Sequence, residues 1–191
     1  GWRRRGVVAT APPARARHAG ARSVQQTPRS TPLAFAVARR VKHPALAPGI
    51  DAGAFAGQRL YAFGAWSEGP SLLERIREGP MDPAQVARIA RPLIEGVAAA
   101  HGFGVTHTAI QPGLITVTGS GPVLHGLGVL PALDAQRTNR KADVADLAKL
   151  ILHMLAGATD ESGSDLVRSK GLERVSGAMR SVLETATGRT P

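Results

Sequence analysis

Two histidines and two aspartates are the residues of this chain whose types and spacing could do chemistry. His101 and His107 lie six positions apart, and imidazole nitrogens are common ligands of Zn²⁺. A zinc centre needs three or four protein ligands, and no third ligand stands at helical or hairpin spacing from this pair. We therefore interpret both histidines as structural and predict no metal site.

Asp143 and Asp146 lie three positions apart on one predicted helix. Two carboxylates on one helix face could serve as a general acid and a general base. The alternative is that Asp143, close to the helix N-terminus, complements the positive end of the helix dipole. Both interpretations stay open at this point.

The elements that must position these residues can be predicted from periodicity and turn signals. An Ala-rich helix ends in glycines after His101, and Pro112-Gly113 closes the loop that follows. Residues 115–118 and 122–125 are predicted strands joined by a Gly-Ser-Gly turn. The helix over 143–155 is apolar on nearly every side, which places it in the middle of a domain.

The helix before the loop has a well-defined start. Asp82 is a good N-cap, Pro83 occupies the first helical position, and Gln85 completes a capping box. Other predicted elements are a helix after Pro32 up to Val41, a strand at 60–63 and a short helix at 72–76. A last predicted helix is amphipathic and carries the apolar residues Leu172, Val175, Met179, Val182, Leu183 and Ala186.

The formal net charge of +10 is concentrated near the N-terminus. Of the 24 Lys and Arg residues, ten precede residue 43, and the remaining fourteen balance the fourteen acidic residues. Clustered arginines attract polyanions, so nucleic acid or an anionic surface is one candidate partner of residues 1–42. A solvated leader is the alternative, because the segment has only Trp2 and Phe35 for stacking and no recognisable nucleic-acid module.

Length and composition limit the remaining classes. A chain of 191 residues fits one domain with a tail. It has no cysteine, which excludes disulfides and thiolate metal sites and is compatible with a reducing compartment. No apolar run is long enough to span a membrane. Because the chain begins at Gly1 without an initiator methionine, we expect a fragment, cytoplasmic by itself or as the cytoplasmic part of a larger membrane protein.

The segment from Ala98 to Val117 resembles the catalytic loop of bacterial Ser/Thr protein kinases. That family typically has A-A-H-x-x-G-[IV]-[VI]-H-R-D-[IL]-K-P-x-N-[IL]-L at this place. The scaffold positions are retained as His101, Gly104, Val105, His107, Ile110, Pro112 and Ile115. The working positions are lost: Thr108 replaces the Arg, Ala109 the proton-accepting Asp, Gln111 the Lys, and Leu114 the metal-binding Asn.

The resemblance extends over residues 33–191 and implies an α+β, protein-kinase-like fold. Most of it is the helical C-lobe, with a reduced or missing N-lobe. His43-Pro44 is similar to the motif after the family's C-helix, and 143–157 is similar to its central helix. Glu68-Gly69-Pro70 resembles the motif after the hinge, which places the hinge at Ala65 and Trp66 and the gatekeeper near Gly64; Arg189 matches an arginine near the family's end.

This division predicts three parts: a basic flexible arm at 1–31, a remnant N-lobe at 32–66 with the C-helix, a sheet edge and the hinge, and a helical C-lobe at 67–191. The family's phosphoryl transfer needs two metal ions, a strand Lys and a glycine loop over the phosphates. By resemblance the metal-binding Asp of D-F-G falls on Gly126, beside His125. No glycine loop occurs in residues 1–50, and no acidic residue precedes Asp51 to serve as the C-helix glutamate.

The resemblance thus implies a degenerate kinase domain of actinobacterial type, with Ala109, Gln111, Leu114 and Gly126 at its former catalytic positions and His107, Asp143 and Arg189 kept for structure. Neither ATP nor Mg²⁺ is expected as a cofactor. We expect a regulatory or protein-interaction module whose partner binding depends on phosphorylation, with Thr138, Thr27 and Thr31 as candidate phosphosites. The alternative is a kinase fragment that retains ATP binding or an atypical phosphotransferase activity.

Overall fold

The chain has an α+β architecture in a computed structural model that describes residues 36–55, 59–128, 140–159 and 170–188. The strands are β1 (Gly49–Phe55), β2 (Arg59–Gly64), β3 (Ile115–Thr118) and β4 (Gly121–Leu124). They form two separate antiparallel pairs, β1 with β2 and β3 with β4. The helices are α1 (Leu72–Arg77), α2 (Pro83–Gly102), α3 (Arg140–Ala156) and α4 (Gly177–Ala186), and a 3-10 turn, Pro112–Leu114, precedes β3.

Capping side chains fix where the first two helices begin. The Asp82 carboxylate accepts hydrogen bonds from the backbone N–H groups of Ala84 and Gln85 at 2.8 and 3.0 Å, which confirms the predicted cap. Ser71 and Glu74 form a second capping box at the start of α1. These bonds satisfy N–H groups that the first turn of a helix leaves without partners. Helix α2 continues through the interior Pro92.

Helix α2 is the centre of the core. Its buried face consists of Val86, Ala90, Leu93, Gly96, Val97 and Ala100. It packs against α3 and against the β3–β4 hairpin. This contact agrees with the central position that the apolar composition predicted for the 143–155 helix. The same cluster takes in Leu72 and Ile76 of α1, Ile115 and Leu124 of the hairpin, and Leu147, Leu150, Met154 and Leu155 of α3.

Two chain segments lie against the hairpin through backbone hydrogen bonds. The Ala47 N–H donates to the Leu124 carbonyl, and the Leu124 N–H donates to the Ala45 carbonyl, both at 2.8 Å. On the other strand, the Val117 N–H donates to the Pro70 carbonyl at 2.9 Å. Gly69 comes so close that a Cβ there would lie 2.3 Å from the Val117 carbonyl oxygen, so only glycine fits this turn.

Two sequence-based expectations need correction. Strand β1 was not among the predicted elements, because its Gly- and Ala-rich sequence lacks the alternation that marks a strand. The last predicted helix is also broken: Ser176 caps a new start, and α4 begins at Gly177. Of the apolar residues of that predicted helix, Leu183 is buried, whereas Met179 and Val182 are 46% and 62% exposed.

Several predictions lie outside the described residues, namely the arm at 1–31, Arg189 and the three candidate phosphosites. Of the helix predicted up to Val41, the described part is helical at 36–38. The predicted strand at 60–63 is confirmed within β2. No helix in the described ranges combines the length and apolar composition that crossing a bilayer requires.

The end of α3 generates a prediction about stability. Gly157 has φ +65°, and a Cβ there would lie 2.3 Å from the Pro80 nitrogen. Gly157→Ala should therefore lower the free energy of unfolding by about 2 to 4 kcal/mol through overlap and backbone strain. Urea unfolding followed by circular dichroism measures this loss.

The matched control is Gly113→Ala, because a Cβ at Gly113 has open space around it. It should change the free energy of unfolding by less than about 1 kcal/mol. Equal losses in the two variants would contradict the close approach of the chain at Pro80.

Candidate functional site

The candidate site is the loop between α2 and β3, and a carboxylate from α3 holds it. Asp143 is completely buried. Its Oδ2 accepts the His107 N–H at 2.8 Å, and its Oδ1 accepts the Thr108 N–H at 2.7 Å. Hydrogen bonds from backbone N–H groups to a charged carboxylate are short and strong, so one side chain of the central helix fixes two consecutive residues of the loop.

A third partner completes the environment of this carboxylate. His101 Nε2 lies 2.7 Å from Asp143 Oδ2, and the His101 side chain is 13% exposed. The carbonyl of the same histidine accepts a hydrogen bond from the Arg140 guanidinium at 2.8 Å. A buried charge persists only when it is paired and hydrogen-bonded, and here three donors from the end of α2 and the loop meet that condition.

The position of Asp143 bears on the two interpretations of the aspartates. It lies in the first turn of α3, where a helix dipole favours an acid, yet both its oxygens are bonded to the loop and His101. Its oxygens accept three hydrogen bonds from the loop and from His101, which favours a structural role for Asp143. The kinase resemblance implied a structural role for Asp143, and its hydrogen bonds to the loop backbone agree with that role.

The loop backbone is strained at the residue that Asp143 holds. Thr108 has φ +69°, and no other non-glycine residue in the described part of the chain has a positive φ. A β-branched residue in this region costs on the order of 1 to 3 kcal/mol and persists only where its surroundings enforce it. The bond from its N–H to Asp143 supplies that enforcement.

His107 lies beneath the loop and contacts the end of the hairpin. Its Nε2 lies 2.9 Å from the His125 carbonyl, so Nε2 carries the proton, because a carbonyl can only accept. Its Nδ1 is buried without a hydrogen-bond partner. Burial lowers the pKa of His107, although the His125 carbonyl and the Asp143 carboxylate oppose that shift. The ring is therefore neutral at pH 7.

His125 follows β4 and faces its neighbouring strand. Its Nε2 lies 3.1 Å from the Thr116 hydroxyl, and its partial burial lowers its pKa. Within the ranges that the structure describes, no three potential ligands from His, Cys, Asp and Glu come together as a metal would need. Like His101 and His107, His125 makes contacts that position the loop and the hairpin.

The positions that the kinase resemblance predicts to be catalytic carry no charged side chain. Ala109 and Leu114 are half-buried, Gln111 is exposed, and Gly126 has φ +91° beside His107. Leu114 packs against the apolar core. The sequence also contains a signal that the motif comparison missed: from Gly96 to Leu133 there is no Asp, Glu, Lys or Arg. The sequence of this segment therefore supplies no ionised side chain that could contribute charge toward a phosphate.

The segment predicted as the hinge follows β2 directly. The Ala65 N–H donates to the Pro48 carbonyl at 3.0 Å, and Trp66 is 56% exposed. Gly64, the predicted gatekeeper position, is the last residue of β2. The structure thus brings His107 and Asp143 together and places Ala65 and Trp66 at the junction between the sheet and the helical part.

Comparison with known proteins finds partial matches to bacterial serine/threonine kinases. The chain is 31% identical over 130 residues to the probable serine/threonine-protein kinase PkwA of Thermomonospora curvata. These residues are 66% of this chain and 16% of that kinase. It is 39% identical over 70 residues to the serine/threonine-protein kinase PknL of Mycobacterium tuberculosis, covering 36% of this chain and 18% of that one. No family model matches.

A third match is the serine/threonine-protein kinase pkn2 of Myxococcus xanthus, 33% identical over 72 residues, which are 38% of this chain and 9% of that protein. The chain therefore spans less than a fifth of the length of each of these relatives. Together the matches support a kinase-like relationship over part of the chain.

The buried carboxylate generates the first prediction for this site. Asp143→Ala would leave the His107 and Thr108 N–H groups buried without acceptors, so we expect a loss of about 3 to 5 kcal/mol in the free energy of unfolding. The control is Glu95→Ala, which removes an exposed pair with Arg91 at 2.9 Å and should cost at most about 0.5 kcal/mol. Urea unfolding measures both, and a loss below 1 kcal/mol for Asp143→Ala would contradict the anchoring role.

The lowered pKa of His107 predicts a pH dependence of stability. Folding favours the neutral ring, so the stabilisation is complete above the unfolded pKa of about 6.5 and is lost as the pH falls below it. Denaturant unfolding between pH 7.5 and 5 should show a slope of up to about 1.4 kcal/mol per pH unit from this group.

His107→Gln tests the assignment, because glutamine can still donate to the His125 carbonyl but does not titrate in this range. Its unfolding free energy should depend less steeply on pH than that of the wild type. Parallel pH profiles for the two proteins would show that the dependence comes from another group.

Proposed function

We propose that this chain is a catalytically inactive kinase-like domain that serves as a protein-interaction or regulatory module in signalling. One observation carries the proposal: the contacts that hold a kinase-like loop in place remain, and the groups that would do chemistry there are replaced. Asp143 and His107 supply the contacts. Ala109, Leu114 and Gly126 stand at the positions of the base and the metal ligands.

Phosphoryl transfer makes demands that this arrangement supports poorly. Metal ions must neutralise the developing charge on the phosphate, and a carboxylate must orient the acceptor hydroxyl. A positioned base alone contributes about 10² to 10⁴ in rate. The carboxylate that does reach the loop, Asp143, is already bonded to two backbone N–H groups and cannot replace either function without releasing the loop.

A module without catalysis acts through what binds to it. We propose a protein partner in the cytoplasm, recruited in a phosphorylation-dependent manner, with Thr138, Thr27 and Thr31 as candidate acceptors. A phosphate at such a site adds about two negative charges and strong acceptor oxygens, which basic partner surfaces recognise. Two of the partial matches are kinases of Thermomonospora and Mycobacterium, and these matches support an actinobacterial type of pseudokinase.

The proposal predicts that nucleotide leaves the stability of the domain unchanged. Millimolar ATP with Mg²⁺ should shift the melting temperature no more than Mg²⁺ alone. If ATP did bind and were present at 100 times its Kd, it would stabilise the folded domain by about 2.7 kcal/mol, which would raise the melting temperature. Differential scanning fluorimetry measures the shift, and a transfer assay with radiolabelled ATP measures phosphorylation. A clear ATP-dependent shift, with or without transfer, would favour the alternative of a nucleotide-binding kinase fragment.

A further inference from the structure

A hydroxyl and an imidazole face each other on the β3–β4 hairpin. Thr116 Oγ1, in β3, lies 3.1 Å from Nε2 of His125, the residue that directly follows β4. A hydroxyl is a weak nucleophile by itself and becomes reactive when a base within hydrogen-bond reach takes its proton. The contact between Thr116 and His125 is the contact that such activation requires.

The pair lies on the face of the hairpin that points away from the core. Thr116 is the register partner of Val123, and His125 lies two residues further along, so side-chain alternation places all three on one face. On the opposite face, Ile115 and Leu124 are buried in the core. The three residues of the outer face are only half-buried, so solvent and a small reagent reach the pair from this side.

Both backbone groups of His125 are fixed by hydrogen bonds. Its N–H donates to the Leu114 carbonyl at 2.9 Å, and its carbonyl accepts from His107 Nε2 at 2.9 Å. Because His107 is buried, these bonds tie the backbone of His125 to the core. Partial burial lowers the pKa of His125, so its ring is neutral at pH 7, and only a neutral imidazole accepts a proton.

The Thr116 side chain has little freedom to rotate. A β-branched side chain is restricted about its first torsion angle, and the Thr116 methyl carbon Cγ2 faces Gly69, where a Cβ would lie 3.4 Å from it. Thr116 also forms a β-bridge with Ser71, which fixes its backbone. The methyl group therefore faces the turn at Gly69 while the hydroxyl faces His125, and the two reacting groups are aligned before any reagent arrives.

We propose that Thr116 is a modification site whose hydroxyl is acylated by activated acyl groups, such as thioesters and aryl esters, with His125 as the general base. The Thr116 oxygen attacks the carbonyl carbon, and His125 Nε2 accepts the hydroxyl proton. The bond from that carbon to the leaving group then breaks. The leaving group departs with the bonding electrons, the proton passes from His125 to it or to solvent, and an ester on Thr116 remains. The reaction uses no nucleotide, so it does not depend on the function proposed above.

Acetylation of the full-length chain by p-nitrophenyl acetate near pH 7 tests the proposal. Mass spectrometry of peptides from acid-quenched samples measures the rate at each hydroxyl. The internal control is Thr118, which lies on the same strand and face but bonds to the Ser120 hydroxyl and the Gly121 carbonyl. A positioned base contributes about 10² to 10⁴ in rate, so Thr116 should react at least about 100-fold faster than Thr118. Equal rates would overturn the proposal.

His125→Gln separates a general base from a structural contact. Glutamine can still hydrogen-bond to the Thr116 hydroxyl, but it takes up no proton at neutral pH. The variant should therefore acetylate Thr116 at least about 100-fold more slowly than the wild type and leave the rate at Thr118 unchanged. An unchanged rate at Thr116 in the folded variant would show that His125 only supports the hairpin, which would overturn the proposal.

Acetylation of the wild type in concentrated urea is a second measurement, and it does not require the variant to fold. Unfolding separates Thr116 from His125, so the ratio of the Thr116 rate to the Thr118 rate should fall from at least about 100 to near one. Circular dichroism confirms that the chain is folded in buffer and unfolded in urea. A ratio that stays the same on unfolding would overturn the proposal, because the reactivity would then not come from the folded pair.

Discussion

The hydrogen bonds of the Asp143 carboxylate are the interaction on which the loop depends. A buried charge is unfavourable unless donors surround it, and the His107 N–H, the Thr108 N–H and the His101 ring do so. The loop in turn depends on the carboxylate, because the positive φ of Thr108 would relax without it. Helix α3, the end of α2 and the loop are therefore coupled through one side chain.

The residues that fix the geometry of the loop are therefore different from those at the positions where its chemistry would take place. The residues that hold the loop lie in the core and contribute to stability, so their loss would destabilise the whole domain. The residues that the kinase resemblance aligns with catalytic positions are Ala109, Gln111, Leu114 and Gly126, which need no buried partner charge. A domain can therefore keep the first group without the second. The similarity to serine/threonine kinases covers part of this chain.

Much of the helical part could be predicted from sequence, because capping and apolar periodicity are local. Asp82 with Gln85, and the Gly-Ser-Gly turn of the hairpin, are signals contained within a few residues. Strand β1 could not be predicted, since its pairing with β2 and not its own pattern makes it a strand. The break before α4 was also missed, because the apolar spacing continues through Ser176 while its hydroxyl caps the Met179 N–H. The burial of Asp143 follows from a contact 36 residues away, which no local pattern encodes.

Amide hydrogen exchange of His107 and Thr108 tests the central claim most directly. If the buried carboxylate holds the loop, both amides should exchange only through global unfolding, with protection equal to that of the core amides of α2. Millimolar ATP with Mg²⁺ should leave that protection unchanged. Exchange as fast as that of exposed loop amides, or a further slowing by nucleotide, would contradict a loop that is fixed by Asp143 and inactive toward ATP.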